Sequence, residues 1–168
     1  MLGQKIEDPE GVESEQRTTE GLGLLPLTTR FERPKRTTQV RAVIDSDSFI
    51  GAPSGRVEFN GYEIHLGHTI AAKGAASPFR LISRNGEPCD VADGAISTNR
   101  ATVGTMLHGI FEHDGVRAAL LSSLRERRGL PEPEGPLVAS PEAEYRRLAT
   151  VVRASLNIPA VKRIAGIA

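Results

Sequence analysis

The sequence predicts an α/β fold in which a mixed sheet carries flanking helices. Between residues 37 and 107, several segments alternate β-branched or apolar residues with polar ones, which is typical of half-buried strands. Residues 114–157 instead repeat apolar residues at spacings of four, as amphipathic helices do. Glycine and proline separate these segments, and 168 residues with 39% hydrophobic composition suffice for one domain with a core.

Composition excludes several classes of protein. Basic and acidic side chains number 21 each, so no net field favours nucleic acid or an anionic membrane. The single cysteine, Cys89, excludes a disulfide framework and a thiolate metal cluster, and it fits a reducing compartment. No stretch approaches about 18 consecutive apolar residues. We therefore expect a cytoplasmic protein with no metal site and no nucleic-acid or membrane partner.

The first 44 residues contain one predicted strand. Residues 1–20 open on an apolar pair that leads straight into a turn, which suggests the tail of a helix whose beginning is absent. Residues 21–27 are apolar but interrupted by glycine and proline, as in a buried loop or a short edge strand. Residues 31–36 form a basic connector. Residues 37–44 alternate in the manner of a half-buried strand.

A second strand is predicted over residues 56–69, after a loop over residues 45–55. Its apolar phase switches at Asn60-Gly61, because Phe59 belongs to one phase and Tyr62 and Ile64 to the next. Either a two-residue hairpin or a bulge in one long strand would produce this switch. We favour the bulge, since a hairpin would leave residues 37–44 without an obvious partner.

Three shorter strands follow. Residues 77–84 form a strand that ends at the Asn85-Gly86 turn. Residues 92–97 and 101–107 form two more, separated by a turn at residues 98–100.

A first helix begins near Asp114, the expected N-cap, and Gly129 sits where a left-handed C-cap belongs. A proline-rich linker spans residues 130–139. Ser140 then caps a second helix, with Pro141 at its first position. The expected buried face of this second helix consists of Leu148, Val152 and Leu156. A ragged terminus follows residue 157.

His108 is the candidate catalytic residue. It lies between Gly104 and Gly109 at a predicted strand-to-helix corner, from which a side chain can reach a neighbouring loop. Histidine exchanges protons near neutral pH, so His108 is a candidate general base. On these residues alone, a packed structural histidine is the commoner case.

Other reactive side chains have weaker contexts. His65 and His68 are three apart in a strand and should point to opposite faces, which disfavours a shared metal. Glu63 and His65 share a face and could pair with each other or help position His108. Cys89 follows a proline in an expected turn at Glu87-Pro88, with nothing adjacent that would activate it.

Five motifs in a fixed order resemble one family. They are Gly21-Leu-Gly-Leu-Leu-Pro, Thr37-Thr-Gln-Val, Gly61-Tyr-Glu-Ile-His-Leu-Gly-His-Thr, Asp93-Gly-Ala and Gly104-Thr-Met-Leu-His-Gly-Ile-Phe. This order resembles the C-terminal glutaminase domain of cobyric acid synthases, and residues 151–156 resemble that family's terminal helix. The resemblance implies a partial class I glutamine amidotransferase-like, flavodoxin-like domain over residues 1–157 and a tail over residues 158–168. It strengthens the catalytic assignment of His108.

In that family, the domain hydrolyses glutamine and passes ammonia to a synthetase domain. The synthetase uses ATP, with magnesium, to amidate carboxylates of adenosyl-cobyrinic acid a,c-diamide on the way to cobalamin. The resemblance thus implies glutamine, a synthetase domain and a corrinoid substrate as partners. It implies no cofactor bound by this chain itself.

The resemblance also implies that part of the machinery is missing. The family's nucleophile is a cysteine in a sequence close to Cys-Gly-Gly-Tyr-Gln-Met-Leu-Gly, and Met1-Leu2-Gly3 matches only its end. We therefore expect an N-terminally truncated chain that is inactive alone. The usual triad places a glutamate two residues after the histidine, where this chain has Ile110. Glu63 and Glu112 are the supporting candidates, and a dyad without an orienting carboxylate is the alternative.

Two further interpretations remain open at this point. The chain could be a non-catalytic remnant that serves as a binding or assembly partner. It could also derive from the related cobyrinic acid a,c-diamide synthase or a cell-wall amidotransferase, which share some of the motifs. The Gly21–Pro26 motif and the terminal helix favour cobyric acid synthase.

Overall fold

The computed structural model describes residues 1–45, 56–132 and 141–167. The chain divides into two compact units, Met1–Glu132 and Pro133–Ala168. The predicted loop from residue 46 to residue 55, most of the predicted linker and the Ser140 cap lie outside the described residues. The domain boundary predicted at residue 157 remains a prediction.

The first unit is built on a mixed sheet, as the sequence predicts. Eleven elements make up its described part: β1 (Lys5–Glu7), β2 (Thr18–Glu20), β3 (Leu27–Ile44), β4 (Glu58–Ala71), β5 (Phe79–Arg84), β6 (Glu87–Asp93), β7 (Ala95–Ile96), β8 (Val103–Gly104), β9 (Leu107–His108), a 3-10 turn (Ile110–Glu112) and α1 (Asp114–Arg127). The main sheet runs β2-β1-β3-β4-β9, with β5 and β6 added beside β3. Strands β1 and β3 are parallel, the other pairs in this sheet are antiparallel, and β7 and β8 form a separate ribbon.

Strand β3 is longer than predicted, because residues 31–36 continue it and are not a connector. Its register against β4 shifts between Arg30 and Lys35, which accommodates Pro34, a residue that cannot donate to a sheet ladder. Opposite the shift, Gly67 has a φ of +73°, and a Cβ there would lie 1.9 Å from the Arg30 carbonyl oxygen. The irregularity thus depends on a glycine in the partner strand.

Strand β4 is one continuous strand, and the hairpin alternative is wrong. The bulge expected at Asn60-Gly61 is also wrong, because both residues keep the regular register against β3. Tyr62 and Ile64 simply lie on the outer, exposed face. The inward position between them belongs to Glu63, which is buried.

The core lies on the inner face of the sheet and is covered in part by α1. Phe59 and Phe79 meet edge to face, with ring centroids 5.4 Å apart and planes at 76°. Val116 of α1 joins them in one cluster and is fully buried. Burying side chains of this size stabilises the fold by about 1.5–3 kcal/mol each.

The strands predicted around Asn85-Gly86 differ in extent from the observed ones. The turn itself is confirmed, with positive φ at both residues, as a tight hairpin requires. The turn expected at Glu87-Pro88 is wrong, because β6 begins there. The strands predicted over residues 92–97 and 101–107 shrink to the end of β6, the two-residue strands β7 and β8, and the first residue of β9.

The ends of the first unit also differ from expectation. Residues 1–4 form no helical turn and instead bond to the following loop, for example through Gly23 N–H to the Gly3 carbonyl at 2.9 Å. The helix predicted from Asp114 is confirmed as α1. Its N-cap is His113, whose Nδ1 accepts the Gly115 N–H at 3.1 Å. Gly129 has the predicted left-handed φ, +62°.

The described part of the second unit consists of α2 (Pro141–Ser155) and α3 (Ile158–Ile164). The buried face predicted for α2 is wrong: Leu148, Val152 and Leu156 are 58%, 39% and 52% exposed. The segment expected to be ragged contains α3, where the Asn157 side chain caps the helix by accepting the Ala160 N–H at 3.1 Å. Among the described residues, no helix is both long and apolar enough to cross a membrane.

Candidate active site

His108 lies on the outer face of the sheet, at the end of β9. It pairs in register with Tyr62 of β4, and the two rings stack with centroids 5.2 Å apart and planes 7° from parallel. The imidazole is nevertheless exposed. Gly109, with a φ of +78°, turns the chain from β9 into the 3-10 helix, where the Glu112 N–H donates to its carbonyl at 2.9 Å. This corner fixes the position of His108 and leaves its ring open to a reactant.

Glu112 is the candidate carboxylate on the same side as His108. It is exposed in the 3-10 helix, and a Cβ placed at Gly109 would lie 3.8 Å from its carboxyl carbon and 3.5 Å from the Tyr62 ring. The Glu112 side chain therefore lies over the residue that follows His108.

A groove opens on this outer face beside the stacked rings. Its volume is about 1010 Å³, and Tyr62, Gly109 and Glu112 line one end. The side chains of β3 and the β5–β6 turn line the rest, including Gln39 and Asn85. The groove provides polar groups and space next to the candidate base.

Glu63 lies on the opposite face from His108. It pairs with Leu107, the neighbour of His108, and is 5% exposed. Its carboxylate reaches across β3 to the Arg84 guanidinium, with contacts of 3.0 and 3.1 Å. His65 Nε2 is 3.9 Å from the same carboxylate, so the pairing of Glu63 with His65 proposed above is present. The structure does not bring Glu63 to His108.

The other candidate residues stand apart. His68 lies 3.4 Å from Glu32 and is half exposed, whereas His65 is mostly buried, in keeping with their expected opposite faces. Cys89 packs against the core, and its thiol contacts the Leu81 carbonyl at 3.6 Å. Three strands separate β6 from β9, which at about 4.8 Å per strand places Cys89 about 19 Å from His108.

Sequence reasoning missed a buried polar cluster behind His108. Asp93, at the end of β6, is 7% exposed and accepts hydrogen bonds from the Thr105 hydroxyl and from the Met106 N–H, the latter at 3.4 Å. Burial raises the pKa of the Asp93 carboxyl, the nearby Glu63 charge adds to the rise, and these hydrogen bonds oppose it. The available signal was an acidic residue at an inward strand position before a glycine.

Comparison with known proteins finds similar sequences over nearly the whole chain. Residues 1–116 match the model of the CobB/CobQ-like glutamine amidotransferase domain. The cobyric acid synthase of Sorangium cellulosum is 49% identical over 99% of this chain and 34% of its own length. That of Moorella thermoacetica is 42% identical over 87% and 28%, and that of Syntrophobacter fumaroxidans 36% over 99% and 33%. The chain thus spans about a third of the length of these curated relatives.

Proposed function

Because the chain belongs to the CobB/CobQ-like glutamine amidotransferase domain family, we propose that it is the glutaminase part of a cobyric acid synthase. In this role, it takes part in glutamine hydrolysis and delivers ammonia to a synthetase domain. The observation that carries the proposal is the exposed His108 at the β9 corner, within a chain whose similarity to cobyric acid synthases extends over 99% of its length. Glutamine is the nitrogen source in this proposal.

His108 serves as the proton-transfer residue. A cysteine thiolate attacks the carboxamide carbon of glutamine, the C–N bond breaks, and the imidazolium gives its proton to the departing ammonia. The imidazole then takes a proton from the water that hydrolyses the thioester. Stacking on Tyr62 holds the imidazole in a plane parallel to the tyrosine ring, and the residue remains exposed to a reactant.

The thiolate comes from a polypeptide segment other than this chain. Cys89 is the only cysteine, and it packs against the core about four strand spacings from His108. The chain by itself is therefore inactive in this proposal. Glu112 is the carboxylate best placed to orient the imidazole, and a dyad without it is the alternative.

The synthetase half of the reaction lies elsewhere. Among the described residues, no three histidine, cysteine, aspartate or glutamate side chains are grouped so that they could hold a metal ion. We assign ATP, magnesium and the corrinoid substrate, adenosyl-cobyrinic acid a,c-diamide, to the synthetase domain, and no step above depends on them. The three relatives named above all carry the name cobyric acid synthase, which favours this substrate over that of the diamide synthase.

A non-catalytic binding or assembly role is the second candidate. The exposed apolar side chains of α2 favour it, since such a face normally packs against another surface. Catalytic inactivity of this chain would fit both candidates, so the test requires a reconstituted enzyme.

The test joins this chain to the preceding two thirds of the Sorangium cellulosum synthase. His108→Gln should abolish amidation with glutamine and preserve amidation with added ammonia, because the two half-reactions use separate sites. His68→Gln, on the same sheet, is the matched control and should preserve both. Equal loss with both nitrogen sources in the His108 variant would show a structural role instead.

A second measurement tests the inactivity of the isolated chain. Purified 168-residue protein should release no glutamate from glutamine. Release that Cys89→Ser abolishes would overturn the assignment of the nucleophile to another segment.

A further inference from the structure

Two short segments of the chain, Asp93–Ala95 and Gly104–Thr105, have no role in the mechanism above, and the structure brings them together. Asp93-Gly94-Ala95 ends β6 and opens β7, while Gly104-Thr105 ends β8. Ala95 pairs with Gly104, and a Cβ at Gly94 would lie 2.1 Å from the Gly104 carbonyl oxygen. Only glycine at position 94, with its φ of +78°, permits this approach.

The approach places the Asp93 carboxyl against the segment that leads into His108. One oxygen accepts the Thr105 hydroxyl and the other accepts the Met106 N–H at 3.4 Å. The same Thr105 hydroxyl oxygen accepts the Leu107 N–H at 3.0 Å. Each of the three residues before His108 is therefore tied, directly or through Thr105, to one buried carboxyl group.

These bonds determine the direction in which β9 leaves the turn. Leu107 enters the core, where it is 5% exposed, and pairs with Glu63. Side chains alternate along a strand, so the next residue, His108, must emerge on the outer face against Tyr62. If the turn at Thr105 loosened, the pairing of Leu107 with Glu63 and of His108 with Tyr62 would no longer be held in register.

We propose that Asp93 is a positioning residue for His108 and acts through the Thr105 hydroxyl. The proposal deepens the glutaminase role and rests on it for its catalytic meaning. Asp93 does not touch the reacting atoms, since it is buried behind the sheet. It holds the turn that keeps the imidazole stacked on Tyr62.

The charged residues near the Asp93 carboxyl group are already paired with each other. Its nearest charged neighbours across the inner face are Glu63 and Arg84, which bond to each other through two contacts. Ser77 donates to its backbone carbonyl, which fixes the end of β6. The carboxyl side chain is thus committed to the Thr105–Leu107 turn.

The test observes the His108 ring directly by proton–carbon NMR of the full chain. Stacking on Tyr62 shifts the ring resonance, and Tyr62→Leu gives the unstacked position. Thr105→Val, which removes the hydroxyl and keeps the shape, should move the His108 resonance toward that position. Thr105→Ser, which retains a hydroxyl, should leave it near the wild-type position, whereas Asp93→Leu, which removes both accepting oxygens, should move it as Thr105→Val does.

Two internal controls separate positioning from general damage. The ring centroid of His113 lies 6.5 Å from that of the core residue Phe59, so the His113 resonance reports whether the fold is intact. Asp90→Asn removes an exposed carboxylate from the same strand and should change neither histidine. An unmoved His108 resonance in Thr105→Val would overturn the proposal. So would movement of His108 and His113 together in both Thr105→Val and the smaller Thr105→Ala.

Activity supplies the second readout. In the reconstituted enzyme, Thr105→Val should lower kcat with glutamine by about 10-fold to 100-fold with little change in KM, because a misplaced base slows chemistry rather than binding. Thr105→Ser should restore it. If His108→Gln proves harmless while the NMR result holds, the proposed function fails and the geometric link stands. An unmoved His108 resonance in Thr105→Val would refute the positioning role of Asp93 and leave the proposed function untouched.

Discussion

Replacing Glu63 by glutamine should destabilise the first unit substantially. The Glu63 side chain is 7% exposed, and it meets Arg84 through two contacts of about 3 Å that span the width of β3. Glutamine keeps the shape and one acceptor but removes the charge. Arg84 then retains a positive charge beside a neutral partner on the inner face.

The magnitude follows from the exposure of the partner. Removing one member of a fully buried ion pair costs about 3–5 kcal/mol. Arg84 is 36% exposed, so water can solvate part of its charge, and the amide oxygen still accepts one bond. We therefore expect a loss of about 1.5–3 kcal/mol. At about 2–4 °C per kcal/mol for a chain of this size, Tm should fall by about 3–12 °C.

Urea unfolding followed by circular dichroism near 215 nm, where the sheet dominates, would measure this loss. Glu58→Gln is the matched control, because Glu58 lies on the same strand as Glu63 and forms an exposed pair with Arg56. Exposed pairs contribute about 0–1 kcal/mol. If the two variants lose the same free energy within error, the Glu63–Arg84 pair is not a buried interaction and the reasoning is refuted.

Three further predictions concern the same units. Gly94→Ala should cost more than Gly86→Ala in urea unfolding, because both have positive φ but only Gly94 meets backbone at 2.1 Å; the φ penalty alone is about 1–2 kcal/mol, and equal losses would contradict the close approach. Burial raises the folded pKa of Asp93 above its ordinary value of 3.8, so its stabilising contribution is full below that pH and is lost as pH rises through the folded pKa. Asp93→Asn should therefore raise Tm at pH 7 relative to wild type and give no gain at pH 3, and a gain at both would exclude a titration effect. Replacing Leu148 and Val152 of α2 by lysine should lower binding of a hydrophobic dye, whereas unchanged dye binding would show that these side chains are already covered.

Local signals account for the parts of the fold that were predicted correctly. Asn85 and Gly86 adopt positive φ because asparagine and glycine tolerate this conformation better than other residues. Gly129 follows the end of α1 with positive φ because it lacks a Cβ. The length of β3 could not be predicted this way. Residues 31–36 carry a proline and four charges, and they remain in the strand only because β4 pairs on both sides of the register shift.

In the candidate site, too, local sequence signals identify some residues and miss others. His108 stands out in the sequence because glycines flank it, and its corner depends on the neighbouring Gly109. Asp93 stands in one of the five motifs, but its contact with Thr105 could not be predicted, since Thr105 is 12 residues away and meets it only through the β7–β8 ribbon. The burial of Glu63 could not be predicted, because alternation indicates which residues share a face but not which face is buried, and its neighbours Tyr62 and Ile64 are apolar.

Strand β3 is the central strand of the first unit, and we expect the sheet to unfold cooperatively when this strand separates. Strand β4 occupies one of its edges, so β1 at Thr28–Arg30 and β5 at Val40–Ile44 must share the other. Local opening of a sheet requires a strand to separate from its neighbours. Strands β1, β4 and β5 are connected to one another only through β3, so none of them can join the others once β3 has separated. The amide hydrogens of Val40–Val43 should consequently exchange with deuterated solvent only when the whole unit unfolds, whereas those of β2, at the rim, should exchange through fraying alone.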